Sequence, residues 1–172
     1  MAATAAAIIK GAVNPLKQGS KVATGVQLKE TNPTEANVSL DTLTGKNIIL
    51  GVPGAFTPPC SSQVPGYLQH ADQFLAKGVK GIYIVAVNDL FTVQAWKEKL
   101  GASNPAIHFL ADDTGAFTRS AGLDFDASGL LGNQRSQRYV AIVEDGVVKH
   151  LAKEDEAPNV TVTAADKVLA QV

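Results

Sequence analysis

One cysteine, Cys60, lies where the sequence favours a reactive thiol. It is preceded by an apolar run at residues 47–52, typical of a buried strand, and followed by apolar residues at helical spacing over residues 66–78. Cys60 is therefore expected near the N-terminal end of a helix that follows a strand. Free backbone N–H groups and the helix dipole stabilise a thiolate at such a position. In an α/β fold it is also the edge of the sheet where ligands bind.

The loop around Cys60 indicates whether the thiol is reactive. The ordinary alternative is that a lone cysteine is a small buried hydrophobic residue. Three prolines and one glycine within residues 53–60 make the loop rigid. Thr57 can place its hydroxyl beside the sulfur if the loop enters the helix in a first turn. Pro59 suits that turn, because its missing N–H would have no partner there. These features indicate a loop that holds a thiol for chemistry.

The same residues carry a family resemblance. Pro53, Thr57 and Cys60 reproduce the Pro-x-x-x-Thr-x-x-Cys signature of peroxiredoxins, and the longer Pro-Gly-Ala-Phe-Thr-Pro-x-Cys-Ser wording resembles the type II (atypical, fifth-class) branch. The resemblance implies that Cys60 attacks the peroxide O–O bond and becomes a sulfenic acid. It also implies that the Thr57 hydroxyl binds the peroxide, that Pro53 shields the site, and that an arginine from a later strand keeps the thiolate charged.

Arg135 and Arg138 are the candidate cations, since a nearby positive charge favours a thiolate over a thiol. Arg138 opens a predicted strand and can project from the sheet edge towards Cys60. From the residues alone, a solvated charge at the end of a strand is the ordinary alternative. The resemblance identifies Arg138 as the catalytic arginine, because it directly precedes an aromatic residue. Arg135 is expected to support the site, either as an ion-pair partner or by contacting the catalytic residues without touching the substrate.

Apolar residues are expected to line the site. Leu130 and Leu131 precede a Gly-Asn pair, and the residues alone predict only a loop packed onto the core. The resemblance implies an apolar wall beside the site and part of a dimer contact, with Phe56 contributing from the other side. The residues expected to bind substrate or support the catalytic ones are Pro59, Phe56, Leu131 and Arg135.

Other cysteine chemistry would need a histidine paired with Cys60. His70 lies ten residues further on, about 15 Å along a helix, while His108 and His150 fall in predicted strands. The sequence neither places nor excludes any of them. Three scattered histidines and one cysteine do not suggest a zinc site, and no metal or organic cofactor is expected. Trp96 is expected in the core.

The sequence departs from the family in lacking a resolving cysteine. The usual plant position aligns with Ile84 and the usual animal position with Val162, both aliphatic here. The sulfenic acid cannot form an internal disulfide, so the expected mechanism is 1-Cys. An external thiol, glutathione with glutaredoxin or thioredoxin, would resolve the intermediate.

A second departure follows the cysteine. The chain reads Cys-Ser-Ser-Gln-Val-Pro at residues 60–65, one residue shorter than the usual family stretch and without its histidine. A one-residue deletion rotates a helix by about 100°. The detailed geometry of the site and the docking surface for the reductant are left open by this deletion.

Composition indicates one globular domain. The chain has 172 residues, 45% hydrophobic and 18% charged, with a formal net charge of −1. Such a balance gives no basic surface for nucleic acid or an anionic membrane. No apolar run approaches the roughly 20 residues of a membrane-spanning helix. We expect an N-terminal extension over residues 1–19, a single domain over residues 20–172, and a cytoplasmic location, with mitochondria as the alternative.

The order of the predicted elements gives the fold class, α/β. Strands are expected at residues 47–52, 79–87 and 107–110, and a hairpin at 139–151 with a type I′ turn at Asp145-Gly146. Helices are expected within 66–78, at 91–100, at 116–121, and from Thr163 to Val172, the last with a capping-box-like pattern at Asp166. Residues 20–45 suggest an N-terminal hairpin or loose strands. This order predicts a thioredoxin-like fold, a mixed central β-sheet with helices on both faces plus the N-terminal hairpin extension.

Three functions are consistent with these residues. The leading one is a thiol-dependent peroxidase that reduces hydrogen peroxide and alkyl hydroperoxides through a Cys60 sulfenic acid. The alternative is a redox sensor or relay that passes oxidation from Cys60 to a partner through a mixed disulfide. The third is an interaction module that has lost catalysis. A homodimer is expected from the resemblance alone.

Overall fold

A five-stranded mixed sheet forms the centre of the computed structural model, which describes residues 15–172. The strands of this part of the chain are β1 (Gln27–Leu28), β2 (Val38–Ser39), β3 (Lys46–Val52), β4 (Val79–Ala86), β5 (Ile107–Ala111), β6 (Asp124–Asp126), β7 (Gln134–Ser136), β8 (Tyr139–Glu144) and β9 (Val147–Lys153). The central sheet has the order β5-β4-β3-β8-β9. The β3, β4 and β5 strands are parallel, whereas β8 runs antiparallel to β3 and β9 antiparallel to β8.

Helices cover both faces of this sheet. They are α1 (Pro58–Gln69), α2 (Ala71–Ala76), α3 (Leu90–Lys99), α4 (Ala116–Ser120), α5 (Ser128–Leu131) and α6 (Ala165–Leu169), with a 3-10 turn at Leu40–Thr42. Successive strand side chains point to opposite faces. Ile48 and Leu50 therefore pack with residues of α1, α2, α3 and α6, whereas Ile49 packs with α4 and the N-terminal segment. The predicted thioredoxin-like arrangement, a mixed sheet buried on both sides, is confirmed.

The register of β3 and β8 brings distant residues to one edge of the sheet. Because these strands are antiparallel, the start of β8 lies beside the end of β3, with Tyr139 opposite Gly51. A Cβ atom on Gly51 would lie 2.1 Å from the Tyr139 ring, so only glycine fits there. Arg138, directly before β8, is consequently adjacent to the loop that follows β3.

Most predicted elements are confirmed with shifted ends. The helix expected within 66–78 begins earlier, at Pro58, and is interrupted at His70 before α2 continues it. Apolar spacing revealed only its later turns, because the first turn is specified by prolines. The Asp145-Gly146 turn has positive φ at both residues, 48° and 79°, as a type I′ turn requires. The short pair β6–β7 and helix α5 were not predicted.

The prediction for the last helix is wrong at its start. The helix covers Ala165–Leu169, and Ala164 precedes it without a side-chain cap. The Thr163 hydroxyl, expected to cap the helix, instead donates a hydrogen bond to Glu154 Oε1 at 2.8 Å. A buried tertiary partner has replaced the local one.

The N-terminal segment already packs on the domain at its first described residues. Leu16 is buried and its N–H donates to Ala121 O at 2.9 Å, while Gly19 N–H donates to Val148 O at 2.8 Å. Of the extension expected over residues 1–19, residues 1–14 lie outside the described part of the chain. In residues 20–45, β1 and β2 form a short antiparallel pair. No helix within residues 15–172 is long and apolar enough to cross a membrane.

Candidate active site

Cys60 is the third residue of α1, and its side chain is fully buried. Thr57 precedes the helix in an extended conformation, and its carbonyl accepts the Ser61 N–H at 2.9 Å. Pro58 and Pro59 fill the first two helical positions, as expected for residues without an N–H. Neither proline has an N–H to donate. In this first turn, the Cys60 amide is therefore the N–H group that can bind an anion.

The loop between β3 and α1 is shaped by local hydrogen bonds. The Thr57 hydroxyl donates to Gly54 O at 2.9 Å, so its oxygen lone pairs remain as acceptors. The Ala55 N–H donates to Asn88 Oδ1 at 2.9 Å, which ties the loop to the end of β4. Phe56 adopts φ of 65°, a strained conformation for a bulky residue, and is 49% exposed. The structure thus points Phe56 towards solvent.

Arg138 is the charged group in contact with Cys60, and only 1% of it is exposed. Its Nη2 lies 3.4 Å from Cys60 Sγ, Nη1 donates to Gln63 Oε1 at 2.6 Å, and Nε donates to Ala157 O at 2.9 Å. Three partners in three directions fix the planar guanidinium. Arg138 therefore holds a permanent positive charge 3.4 Å from the sulfur and away from water.

Gln63 is a site residue that sequence reasoning missed. It is buried, accepts the hydrogen bond from Arg138, and donates through Nε2 to Thr163 Oγ1 at 2.8 Å and Thr163 O at 3.2 Å. Residues three apart share one face of a helix, so the spacing from Cys60 could have indicated it. Gln63 lies in the stretch where the sequence departs from the peroxiredoxin pattern.

Arg135 braces the loops around the site. Its Nη1 donates to Pro53 O and its Nη2 to Leu131 O, both at 3.3 Å, while Nε donates to Asn133 Oδ1 at 2.6 Å. Partial burial lowers the pKa of Arg135, and the nearby Cys60 charge opposes that shift. Arg135 therefore connects the β3–α1 loop to the end of α5 while adding positive charge near the sulfur.

A cavity of about 480 Å³ opens beside these residues. Its lining is mostly apolar, with Thr57 and Arg138 among its polar residues. The lining residues are Pro53, Thr57, Pro58, Pro59, Phe125, Asp126, Ala127, Gly129, Leu130, Leu131, Arg138, Ala157 and Pro158. Of the residues expected to bind substrate or support the site, Pro59 and Leu131 line the cavity, whereas Phe56 and Arg135 do not.

The remaining candidates lie elsewhere. His70 Nδ1 is hydrogen-bonded to Gly66 O at 2.8 Å, and His108 Nδ1 lies 2.7 Å from Glu30 Oε1. No histidine among residues 15–172 has a hydrogen bond to Cys60, so a cysteine–histidine pair is not formed. Within the same residues no group of three or more His, Cys, Asp or Glu could hold a metal ion. Trp96 is buried, as predicted, and its Nε1 donates to Ser61 Oγ at 3.2 Å.

Comparison with known proteins agrees with this geometry. A family model described as Redoxin matches residues 17–169. Peroxisomal membrane associated protein 20 of Schizosaccharomyces pombe is 55% identical over 129 residues, covering 74% of this chain and 83% of that protein. Mitochondrial peroxiredoxin-2F of Arabidopsis thaliana is 40% identical over 163 residues, covering 89% of this chain and 81% of that one.

The fold of the chain is also similar to that of a solved structure. Reduced Prx3 of Vibrio vulnificus in complex with hydrogen peroxide shares 38% identity with a TM-score of 0.82, covering 91% of this chain and 99% of that one. The chain belongs to the redoxin family and is a peroxiredoxin of the type II kind, an enzyme that reduces peroxides through a cysteine thiol.

Proposed function

We propose that Cys60 is the nucleophile of this peroxidase and that Arg138, Thr57 and Pro53 complete its catalytic group. The observation that carries this proposal is the buried contact of 3.4 Å between Arg138 Nη2 and Cys60 Sγ. The Cys60 thiolate attacks one oxygen of the peroxide, an S–O bond forms and the O–O bond breaks. The sulfur loses two electrons and becomes a sulfenic acid. The peroxide gains them, and its other oxygen leaves as water or an alcohol after taking up a proton.

Each neighbouring group has a role in that step. The Arg138 guanidinium keeps the sulfur charged and donates to the peroxide oxygens as negative charge moves onto the leaving one. Thr57 accepts the hydrogen bond of the peroxide O–H, since its own hydrogen is engaged by Gly54 O. The Cys60 amide is a further donor near the developing charge. Pro53 lines the cavity and limits the access of water to the sulfenate.

The apolar lining supports organic hydroperoxides as substrates beside hydrogen peroxide. A cavity of about 480 Å³ exceeds what hydrogen peroxide fills, and Pro58, Phe125 and Leu131 offer apolar contacts to an alkyl tail. The solved Vibrio vulnificus protein was crystallised with hydrogen peroxide.

A second thiol must come from another molecule, because Cys60 is the only cysteine of the chain. An external thiol attacks the sulfenic sulfur, water leaves and a mixed disulfide forms. A second external thiol then attacks that disulfide and releases Cys60 reduced. Since Cys60 is fully buried, the first helical turn or the loop before it must move to admit the reductant. The candidate reductants are glutathione with glutaredoxin, and thioredoxin.

The test is peroxide consumption by the purified protein with each reductant, beside Cys60→Ser. We expect catalytic turnover with one of them and none in the serine variant. Stoichiometric oxidation of Cys60 without turnover by any thiol would favour the redox relay instead. Absence of any reaction between Cys60 and peroxide would refute the proposal.

A homodimer and a cytoplasmic location complete the proposal. Leu130, at the rim of the cavity, is 88% exposed, which supports a partner copy covering this wall. Sedimentation equilibrium would give the mass. A reduced lone thiol suits the cytoplasm. The relatives include a mitochondrial protein and a peroxisomal membrane associated one, so mitochondria are the alternative, and a fluorescent fusion of the full chain would decide.

A further inference from the structure

A chain of buried hydrogen bonds connects Glu154, which does not touch Cys60, to the arginine that does. Thr163 Oγ1 donates to Glu154 Oε1 at 2.8 Å, Gln63 Nε2 donates to Thr163 Oγ1 at 2.8 Å, and Arg138 Nη1 donates to Gln63 Oε1 at 2.6 Å. Each of the four residues is at most 5% exposed. Water is therefore not available to replace a lost partner, and each link constrains the next.

The charges at the two ends fix the direction of every bond between them. A guanidinium can only donate and an ionised carboxylate can only accept. The single hydroxyl hydrogen of Thr163 is directed to Glu154, so its oxygen accepts from the Gln63 amide nitrogen. This leaves the Gln63 oxygen facing Arg138. A reversed amide would place its NH2 group against a guanidinium N–H, where no hydrogen bond forms.

Glu154 also fixes the loop that holds the other side of the guanidinium. Its carboxylate accepts the N–H and hydroxyl of Thr161, each at 2.6 Å, and the N–H of Thr163 at 2.9 Å. The closed loop carries Ala157, whose carbonyl accepts from Arg138 Nε at 2.9 Å. Burial alone would raise the pKa of Glu154, but the bonds from Thr161 and Thr163 outweigh it and lower that pKa, so the carboxylate stays ionised.

We infer that Glu154 is a positioning residue for the peroxide reaction, holding Arg138 against Cys60 through Thr163 and Gln63. The inference rests on the proposed role of Arg138. Two of the three hydrogen-bond partners of Arg138, Gln63 Oε1 and Ala157 O, owe their positions to this carboxylate. The competing explanation is that Glu154 only stabilises the loop of residues 155–163.

Thr163 and Thr161 separate the two explanations. Both hydroxyls donate to the Glu154 carboxylate, at 2.8 Å and 2.6 Å, but only Thr163 continues to Gln63. Thr163→Val and Thr161→Val each remove one such hydroxyl with little change of shape. We expect Thr163→Val to slow the reaction of Cys60 with hydrogen peroxide roughly tenfold, the effect of one buried hydrogen bond. Thr161→Val removes a hydroxyl of an exposed residue that also donates to Glu154, and it should leave the rate within about twofold of wild type.

Rescue and charge variants complete the test. Thr163→Ser restores the hydroxyl and should restore most of the rate, whereas Glu154→Gln should slow the reaction, because its amide can donate to Thr163 and reverse the order of bonds. If the valine variants do not fold, Thr163→Ala and Thr161→Ala form a second matched pair.

The outcomes are distinguishable. If wild type reacts with peroxide but both threonine variants slow the reaction equally, in step with lost stability, the inference about Glu154 is overturned and the proposed function is not. The inference is also overturned if Thr163→Val reacts as fast as wild type. If wild-type Cys60 does not react at all, the proposed function fails, and the inference fails with it.

Discussion

Replacement of Arg138 by alanine tests the proposed site most directly. The guanidinium lies 3.4 Å from Cys60 Sγ. Two opposite unit charges at that separation attract by roughly 5 kcal/mol at an effective dielectric constant of about 20. Part of this gain is offset by the cost of burying Arg138, and a charge-assisted hydrogen bond typically contributes about 1.5–3 kcal/mol net. Since about 1.4 kcal/mol corresponds to a factor of ten in rate, we expect a loss on the order of 10- to 150-fold.

The same change leaves two oxygens without a donor, Gln63 Oε1 and Ala157 O. Gln63 is buried, and an unsatisfied buried group costs about 1–3 kcal/mol of unfolding free energy, whereas Ala157 is only half-buried. Lower thermal stability should therefore accompany the slower reaction. Arg138→Lys keeps one charge but cannot reach three partners, so its rate should fall between those of wild type and Arg138→Ala.

The assay is stopped-flow measurement of the second-order rate constant between reduced protein and hydrogen peroxide. Near-ultraviolet circular dichroism checks that each variant is folded. A folded Arg138→Ala that reacts within about threefold of wild type would refute the reasoning, because the loss would then be smaller than that of one ordinary charge-assisted hydrogen bond. The helix end and the Cys60 amide would then be the groups that stabilise the sulfur.

Three further predictions concern the surroundings of this contact. Thr57→Val should slow the peroxide reaction by roughly tenfold or more, whereas Thr57→Ser, which keeps an acceptor oxygen, should react at nearly the wild-type rate. The same stopped-flow assay measures both rates. A Thr57→Val rate equal to that of wild type would exclude Thr57 from peroxide binding. Glu154 has a pKa below its usual value of 4.5, so it stabilises the fold above that pH and loses this effect as pH falls through the lower value. The stability gap between wild type and Glu154→Gln in urea should consequently be full at neutral pH and shrink in acid, and a gap independent of pH would contradict the assignment. Leu130→Glu should slow reduction of cumene hydroperoxide more than that of hydrogen peroxide, since Leu130 lines the cavity and is 88% exposed in the single chain. An equal effect on both peroxides would argue against an apolar subsite.

Local signals predicted the part of the site that lies close together in sequence. The Pro-Gly and Pro-Pro pairs around Cys60 indicated a rigid entry into a helix, and α1 begins at Pro58. The positions of the central strands along the chain followed from apolar runs. Arg138 was predicted to open a strand and project from the sheet edge. In the structure it directly precedes β8, which pairs with β3 as far as Tyr139 opposite Gly51.

The parts that the sequence left open depend on contacts between distant residues. Gln63 and Thr163 are 100 residues apart, and neither has a local pattern that predicts their hydrogen bond. Thr163 was expected to cap a helix, and that local role was displaced by a buried carboxylate. Phe56 was expected at the apolar wall, yet its positive φ directs it to solvent. Local propensity is a weak guide wherever a tertiary partner competes with it.

The single buried cysteine also sets how long each molecule remains oxidised. In a chain with a second thiol, the sulfenic acid is consumed by formation of an internal disulfide, and no external thiol is needed for that step. Here that lifetime depends on the concentration of external thiol and on how often the fold admits it. A second peroxide can arrive first and carry Cys60 to the sulfinic acid, a form that ordinary thiols do not reduce. The ratio of thiol to peroxide around the protein, rather than peroxide alone, therefore determines whether it turns over or is inactivated.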